Sequence, residues 1–130
     1  MIKVRRTFHI QYGTAGRHEF VDRPVARIVP EGRVPRVSRL MALAIRFDGL
    51  IRRGEVSCQS ALARRAGVTQ PRMTQIMNLM LLAPDIQEQV LQLPRVTGRT
   101  EPVTERALRV LSGVPDWAEQ RRKWREIRGL

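Results

Sequence analysis

The sequence has little cysteine and no long apolar run, and each scarcity excludes a class of protein. The single cysteine, Cys58, excludes an intramolecular disulfide framework and suits a reducing cytosol. No stretch approaches the roughly 18 apolar residues of a membrane span, and the N-terminal residues lack the apolar core of a signal peptide. We therefore expect a cytoplasmic protein with no membrane partner, and we interpret Cys58, beside a predicted helix start, as a packing residue.

Groups that carry catalysis are also sparse. His9 and His18 have no nearby carboxylate pair or cysteine that would complete a metal site or a catalytic triad. The segment "GTAGR" lacks the lysine and the following helix of a phosphate-binding loop. We expect no enzymatic activity, no metal and no cofactor.

Positive charge is abundant. The chain has 24 basic and 12 acidic residues, a formal net charge of +12 and a pI of about 11.7, which favours a polyanionic partner such as nucleic acid. Only Lys3 and Lys123 are lysines, and the other basic residues are arginines. Two explanations of this preference for arginine over lysine stay open. The planar arginine fork suits phosphates and guanine edges, and a GC-rich genome gives the same arginine usage.

Residues 1–35 are predicted to form a basic arm. At its start, apolar and aromatic residues occupy even positions, which indicates a strand. These residues are Ile2, Val4, Phe8, Ile10 and Tyr12. "HEFVD" is a candidate return strand, and three fates of the resulting ribbon stay open: it packs on the helical body, pairs with another chain, or stays mobile. The proline-rich "RPVARIVPEGRVPR" is predicted as an extended linker, with a minor-groove contact through Arg33 and Arg36 as the alternative.

From Arg36 the apolar residues recur at helical spacing. One stripe of about four turns ends at Gly54 and consists of Val37, Leu40, Met41, Ala44, Phe47, Leu50 and Ile51. Three later helices are predicted from their end signals, with Pro84, Thr104 and Asp116 at their starts. The sequence thus predicts a mainly α fold for residues 36–130, a helix-turn-helix bundle of about five or six helices preceded by the ribbon or arm.

Two details of the last helix are also predicted. Asp116 and Glu119 match the spacing of a capping box. Trp117 and Trp124, on the same helix, are interpreted as a packing stripe rather than as a platform for base stacking.

The segment "SALARRAGVTQPRMTQIMNLM" matches the requirements of a DNA-reading helix-turn-helix. Such a motif needs small residues where the helices cross, a glycine that takes positive φ, and apolar anchors on both helices. These positions are filled by Leu62, Ala63 and Ala66 on the first helix, Gly67 at the turn, Val68 at the corner, and Met73 and Ile76 on the second helix. A plain helical hairpin with a solvated polar face is the alternative.

The polar residues of this motif are candidate DNA contacts. The N-terminal half of the second helix enters the major groove in this motif, where glutamine and asparagine pair with adenine, arginine with guanine, and threonine with the thymine methyl. No acidic residue occurs from Gln59 to Leu82. The predicted DNA-binding residues are Arg33, Arg36, Gln59, Arg64, Arg65, Thr69, Gln70, Pro71, Arg72, Thr74, Gln75 and Asn78.

The stretch "ALARRAGVTQPRMTQIMNLMLLAPDIQEQVLQLP" resembles the central DNA-binding region of the ParB and KorB family of plasmid partition proteins and repressors. The likeness continues into "VTERALRVLSGVPDWAEQRRKW". The resemblance implies DNA contacts from Gln59, Thr69, Gln70, Arg72, Thr74 and Gln75. The family's arginine-rich nucleotide-binding boxes are not found upstream. A weaker similarity is to small proteins encoded beside recombinases on bacterial mobile elements.

These observations favour a sequence-specific double-stranded DNA-binding protein of the bacterial nucleoid, a ParB/KorB-like transcriptional regulator or partition-type binder. An accessory factor for site-specific recombination, with a recombinase as partner, is the alternative within DNA binding. A protein-interaction module that does not read DNA is the alternative from another class. A homodimer is expected because one helix-turn-helix reads only half of a palindromic site.

Overall fold

The computed structural model describes residues 9–12, 18–21 and 31–130. The chain divides into two units, residues 1–30 and residues 31–130, each of which is described by itself. The sequence predicted this boundary five residues later. The difference arises because Arg33 and Val96 form two backbone hydrogen bonds. The N–H of Arg33 donates to the Val96 carbonyl oxygen at 2.9 Å, and the N–H of Val96 donates to the Arg33 carbonyl oxygen at 2.8 Å. The last residues of the predicted linker therefore belong to the helical unit.

The N-terminal unit contains a two-stranded antiparallel ribbon. Strand β1 is His9–Tyr12 and strand β2 is His18–Val21, as the alternating pattern and the return segment predicted. The register pairs His9 with Val21 and Tyr12 with His18, so the two histidines lie at opposite ends of the ribbon. Ile2, Val4 and Phe8, which belong to the predicted strand, lie outside the described residues.

The second unit is the predicted helical bundle, with six α-helices in residues 31–130. Their bounds are α1 Arg36–Arg52, α2 Gln59–Ala66, α3 Gln70–Met77, α4 Pro84–Leu91, α5 Glu105–Ser112 and α6 Trp117–Arg128, with a short 3-10 turn Asn78–Leu81 after α3. None of these helices is both long and apolar enough to cross a membrane.

The helix ends follow the predicted signals, with one exception. The Thr104 side chain accepts a hydrogen bond from the backbone N–H of Ala107 at 3.1 Å, which caps α5. Asp116 caps α6 by accepting from the N–H of Ala118 at 3.2 Å. The predicted capping box is wrong, because Glu119 turns along the helix surface and pairs with Arg122.

The larger hydrophobic core joins α1 to α4, α5 and α6. Its buried side chains come from every helix of the unit except α2, and from the segments between them; the largest include Met41, Leu79, Leu82, Ile86, Leu108, Leu111 and Trp124. Buried Ser38 donates a hydrogen bond to the Val90 carbonyl oxygen at 2.6 Å, which ties α1 to α4. The predicted tryptophan stripe holds only in part, because Trp124 is buried whereas Trp117 is 46% exposed at the first position of α6.

A smaller core lies between α2, α3 and the end of α1. Its buried members are Val56, Leu62, Ala63, Met73 and Met77. Phe47 and Met80 pack against both this cluster and the larger one. The α2–α3 pair therefore has an interior of its own, which is joined to the bundle through Phe47 and Met80 and through Ile76 of α3, a member of the larger core.

Gln120 is a fully buried polar side chain that links the 3-10 turn to α6. Its Oε1 accepts a hydrogen bond from the backbone N–H of Ala83 at 2.9 Å. Its Nε2 donates to the carbonyl oxygens of Leu81 at 3.2 Å and Val114 at 2.7 Å. One amide thus satisfies backbone groups from two loops that would otherwise lose water without gaining a partner.

Candidate nucleic-acid interface

The α2–α3 turn has the geometry that the sequence predicted. Gly67 has a φ of 69°, in the left-handed region that side chains disfavour. The N–H of Val68 donates to the Ala63 carbonyl oxygen at 3.0 Å, which closes the end of α2. Thr69 then caps α3, since its hydroxyl oxygen accepts from the N–H of Arg72 at 3.3 Å. Only three residues separate the helices, so their relative orientation is fixed locally.

This geometry predicts a graded response to substitution of Gly67. A Cβ at this position meets no atom within 4 Å, so the penalty comes from φ alone. We expect Gly67→Val to lower the free energy of unfolding by about 1–2 kcal/mol, the order of the left-handed penalty, and Gly67→Asn to lower it by much less.

Urea denaturation of the purified variants measures the effect. Gly98→Ala is the matched control, because that site is equally open and its φ is not positive. Equal losses for the valine and asparagine variants of Gly67 would show that the turn does not require a left-handed residue.

Helix α3 has one buried face and one exposed polar face. Met73, Ile76 and Met77 are buried against the two cores, as predicted for Met73 and Ile76. The exposed face carries Gln70, Pro71 and Thr74, and Asn78 continues it into the 3-10 turn. Because Gln70, Thr74 and Asn78 recur at four-residue spacing, they lie in one row along the surface.

Thr74 is oriented by a hydrogen bond within its own helix. Its hydroxyl donates to the Gln70 carbonyl oxygen at 3.1 Å. The bond uses the single hydroxyl proton, so Thr74 presents a methyl group and oxygen lone pairs to a partner. Thr74 is therefore suited to a thymine methyl or to a hydrogen-bond donor on a base.

Arg72, predicted as an outward DNA contact, is partly buried and paired with a residue of another helix. Its guanidinium forms a two-pronged ion pair with Glu105, the first residue of α5, and its Nη1 also donates to Gln75 Oε1 at 3.3 Å. The side chains of Arg72 and Glu105 are only 31% and 18% exposed. Hydrogen bonds from Arg72 lower the pKa of Glu105, and the positive charges of Arg109 and Arg36 lower it further.

Helix α2 carries the exposed positive charge of the motif. Gln59, Arg64 and Arg65 are exposed, as a contact with phosphates requires. Ala66, predicted on the buried face with Leu62 and Ala63, is exposed instead, because α2 ends there and the chain turns away.

The packing role predicted for Cys58 is wrong. It is the exposed residue immediately before α2. Its pKa is lowered, chiefly by the backbone N–H of Ala61 and then by the Ser57 hydroxyl, which is the environment of a helix start and not of a core.

The two arginines predicted in the arm lie at the helical unit. Arg33 donates from Nη1 to the Gly98 carbonyl oxygen at 2.7 Å and lies 3.5 Å from Glu101, so its side chain bonds to the α4–α5 loop. Arg36 is 71% exposed and approaches Glu105 at 4.0 Å.

Glu105 is the functional candidate that the sequence did not single out. It lies 33 residues after Arg72, and no local spacing relates the two; only its place at a helix start was visible. Two arginines of α6 also form ion pairs. Arg121 pairs with Asp85 at 3.0 Å, and Arg122 pairs with Glu119 and Glu126. The described residues contain no cluster of three or more histidine, cysteine or acidic residues suited to a metal ion.

Comparison with protein-family models, curated proteins and solved structures found no match to this chain. The resemblance to the ParB and KorB family therefore rests on the quoted residues alone, and the chemistry of the α2–α3 surface has to support any assignment of function.

Proposed function

We propose that this protein binds double-stranded DNA in a sequence-specific manner, with α3 in the major groove. The observation that carries the proposal is the exposed face of α3. Gln70, Thr74 and Asn78 form a row of uncharged hydrogen-bonding side chains on the second of two short helices that meet at a glycine turn. A helix that only bounds a solvated surface more often carries glutamate and lysine than this selection of residues.

Each exposed group has a defined role in the proposal. The amides of Gln70 and Asn78 pair with base edges, adenine above all, and the Thr74 methyl contacts thymine. Arg64 and Arg65 on α2 bind backbone phosphates, which position the protein without reading sequence. The absence of acidic residues from Gln59 to Leu82 keeps phosphate repulsion away from this surface.

The biological role that we propose is a bacterial transcriptional regulator or partition-type binder, in line with the resemblance to ParB and KorB proteins. A nucleoid location in the cytoplasm follows from the same proposal. An accessory role in site-specific recombination uses the same DNA surface, and the genes whose control regions contain the bound sites distinguish these roles.

Salt dependence tests DNA binding directly. Neutralising about five phosphates gives a slope near −4.5 in a plot of log affinity against log salt concentration. We expect this slope for a random duplex, and we expect Arg64→Ala or Arg65→Ala to reduce its magnitude by about 0.9 each, since each removes one phosphate contact.

Fluorescence anisotropy over a salt series measures these slopes. Arg125→Ala is the matched control, because Arg125 is an equally exposed helical arginine on α6, away from the motif. A flat salt response of the unmodified protein would contradict the proposal, and so would an Arg125→Ala effect as large as those on α2.

A further inference from the structure

We infer that Glu105 limits sequence-independent DNA affinity by keeping Arg72 away from phosphates. The inference rests on the proposed function and adds to it a residue on α5, outside the helix-turn-helix. In this arrangement the Glu105 carboxylate pairs with the Arg72 guanidinium, which would otherwise add sequence-independent affinity for DNA to α3.

The geometry of the pair makes Glu105 a positioning residue that holds the Arg72 guanidinium. Arg72 Nη1 and Nη2 bond to the two carboxylate oxygens of Glu105, the second contact being 3.4 Å, and Nη1 also bonds to Gln75. A planar guanidinium matched to a carboxylate in this manner loses several hydrogen bonds at once when it rotates outward. The half-buried Gln75 is held by the same contact, so it stays beside the exposed row of α3 and not within it.

The surroundings of Glu105 keep its charge in place. It lies in the first turn of α5, where the helix dipole favours a negative charge. Arg36 approaches from α1 at 4.0 Å, and Arg109 lies one turn further along α5. Because hydrogen bonds from Arg72 lower the pKa of Glu105, the carboxylate is ionised at neutral pH. A phosphate that draws Arg72 away must therefore compete with a partly desolvated ion pair.

The consequence concerns the sequence-independent part of DNA binding. Every phosphate contact strengthens binding to all sequences alike, whereas base contacts strengthen binding to one. With Arg72 occupied, the α3 surface offers the uncharged row of Gln70, Thr74 and Asn78, and the exposed arginines of the motif are on α2. Glu105 thus lowers the affinity for every duplex by about the same factor and leaves sequence discrimination to the uncharged row.

Glu105→Gln separates this role from a structural one. Glutamine keeps the size of the side chain and one acceptor oxygen, but it removes the charge that holds Arg72. We expect affinity for a random duplex to rise about eightfold at about 0.1 M salt, and the salt slope to steepen by about 0.9, as for one additional phosphate contact. The ratio of affinities for a selected site and a random duplex should stay the same, because a phosphate contact strengthens binding to both.

Two further variants serve as controls. Glu119→Gln makes the same change of charge on α6, where Glu119 also pairs with an arginine and also has a lowered pKa, mainly through hydrogen bonds from Arg122. The double variant Glu105→Gln with Arg72→Gln removes the guanidinium that is released. We expect Glu119→Gln to change neither slope nor ratio, and the double variant to lose the gain. Thermal unfolding of each variant verifies that it is folded.

The outcomes decide between the hypotheses. If the protein binds DNA but Glu105→Gln and Glu119→Gln behave alike, the proposed function stands and the role of Glu105 is overturned. If the gain persists without Arg72, Glu105 acts through net charge and the inference is equally overturned. If no variant binds any duplex, the proposed function itself fails and the inference fails with it.

Discussion

Replacing Gln120 by leucine is expected to lower the free energy of unfolding by about 3 kcal/mol or more. The buried amide makes one hydrogen bond to Ala83 and two to the carbonyl oxygens of Leu81 and Val114. A leucine leaves these backbone groups buried without a partner, and each such group costs about 1–3 kcal/mol. Urea denaturation followed by circular dichroism measures the loss.

Gln92→Leu is the control for this prediction, because Gln92 is an exposed glutamine at the end of α4. Gln120→Glu adds a pH test. A carboxylate at this buried site faces two carbonyl oxygens, which raises the pKa of the introduced group above that in the unfolded chain. Its destabilisation should therefore be smallest at low pH and grow as pH rises. A pH-independent loss would contradict the assigned hydrogen bonds.

Removing the exposed side chain of Gln70 is expected to reduce sequence discrimination by about 5- to 150-fold, the equivalent of about 1–3 kcal/mol for a lost bidentate base contact. Affinity for random duplexes should change little, because Gln70 carries no charge. Binding of Gln70→Ala to a selected site and to a scrambled duplex measures both quantities. Gln92→Ala is the matched control, an exposed glutamine outside the motif.

Thr74 gives an internal check on the same surface. Its hydroxyl proton is already donated to the Gln70 carbonyl oxygen, so a contact with thymine depends on the methyl group. We expect Thr74→Val to retain discrimination and Thr74→Ala to lose part of it. If folded Gln70 and Thr74 variants all keep full discrimination, α3 is not the reading helix.

The sequence was sufficient to predict the helical unit because its signals are local. The apolar stripe of α1, the positive φ of Gly67 and the cap at Thr69 depend on residues within one or two helical turns of each other. The division of α3 into buried Met73 and Ile76 and an exposed polar row follows from the same periodicity. The described strands of the ribbon also lie within the predicted strand segments.

The contacts that periodicity could not predict depend on tertiary packing. Arg72 is on the expected side of α3, but the approach of α5 supplies Glu105, which pairs with the guanidinium. Arg33 is similarly engaged by a loop more than 60 residues later. Trp117 is exposed because it is the first residue of α6, before the helix reaches the core. A single sequence contains no local signal for the first two of these arrangements, whereas the predicted cap at Asp116 already placed Trp117 at the start of its helix.

The two hydrophobic clusters imply two different levels of protection against amide hydrogen exchange. The smaller one has few buried side chains, contributed largely by α2 and α3, whereas the larger one draws on every helix of the unit except α2. Segments with fewer buried apolar contacts open at lower free energy than the global transition. Phe47 and Met80 contact both clusters and Ile76 of α3 belongs to the larger one, so these three side chains set how far an opening of α2 and α3 spreads into the bundle. The proposed reading helix therefore begins beside the part of the protein whose fluctuations a bound partner can most readily suppress.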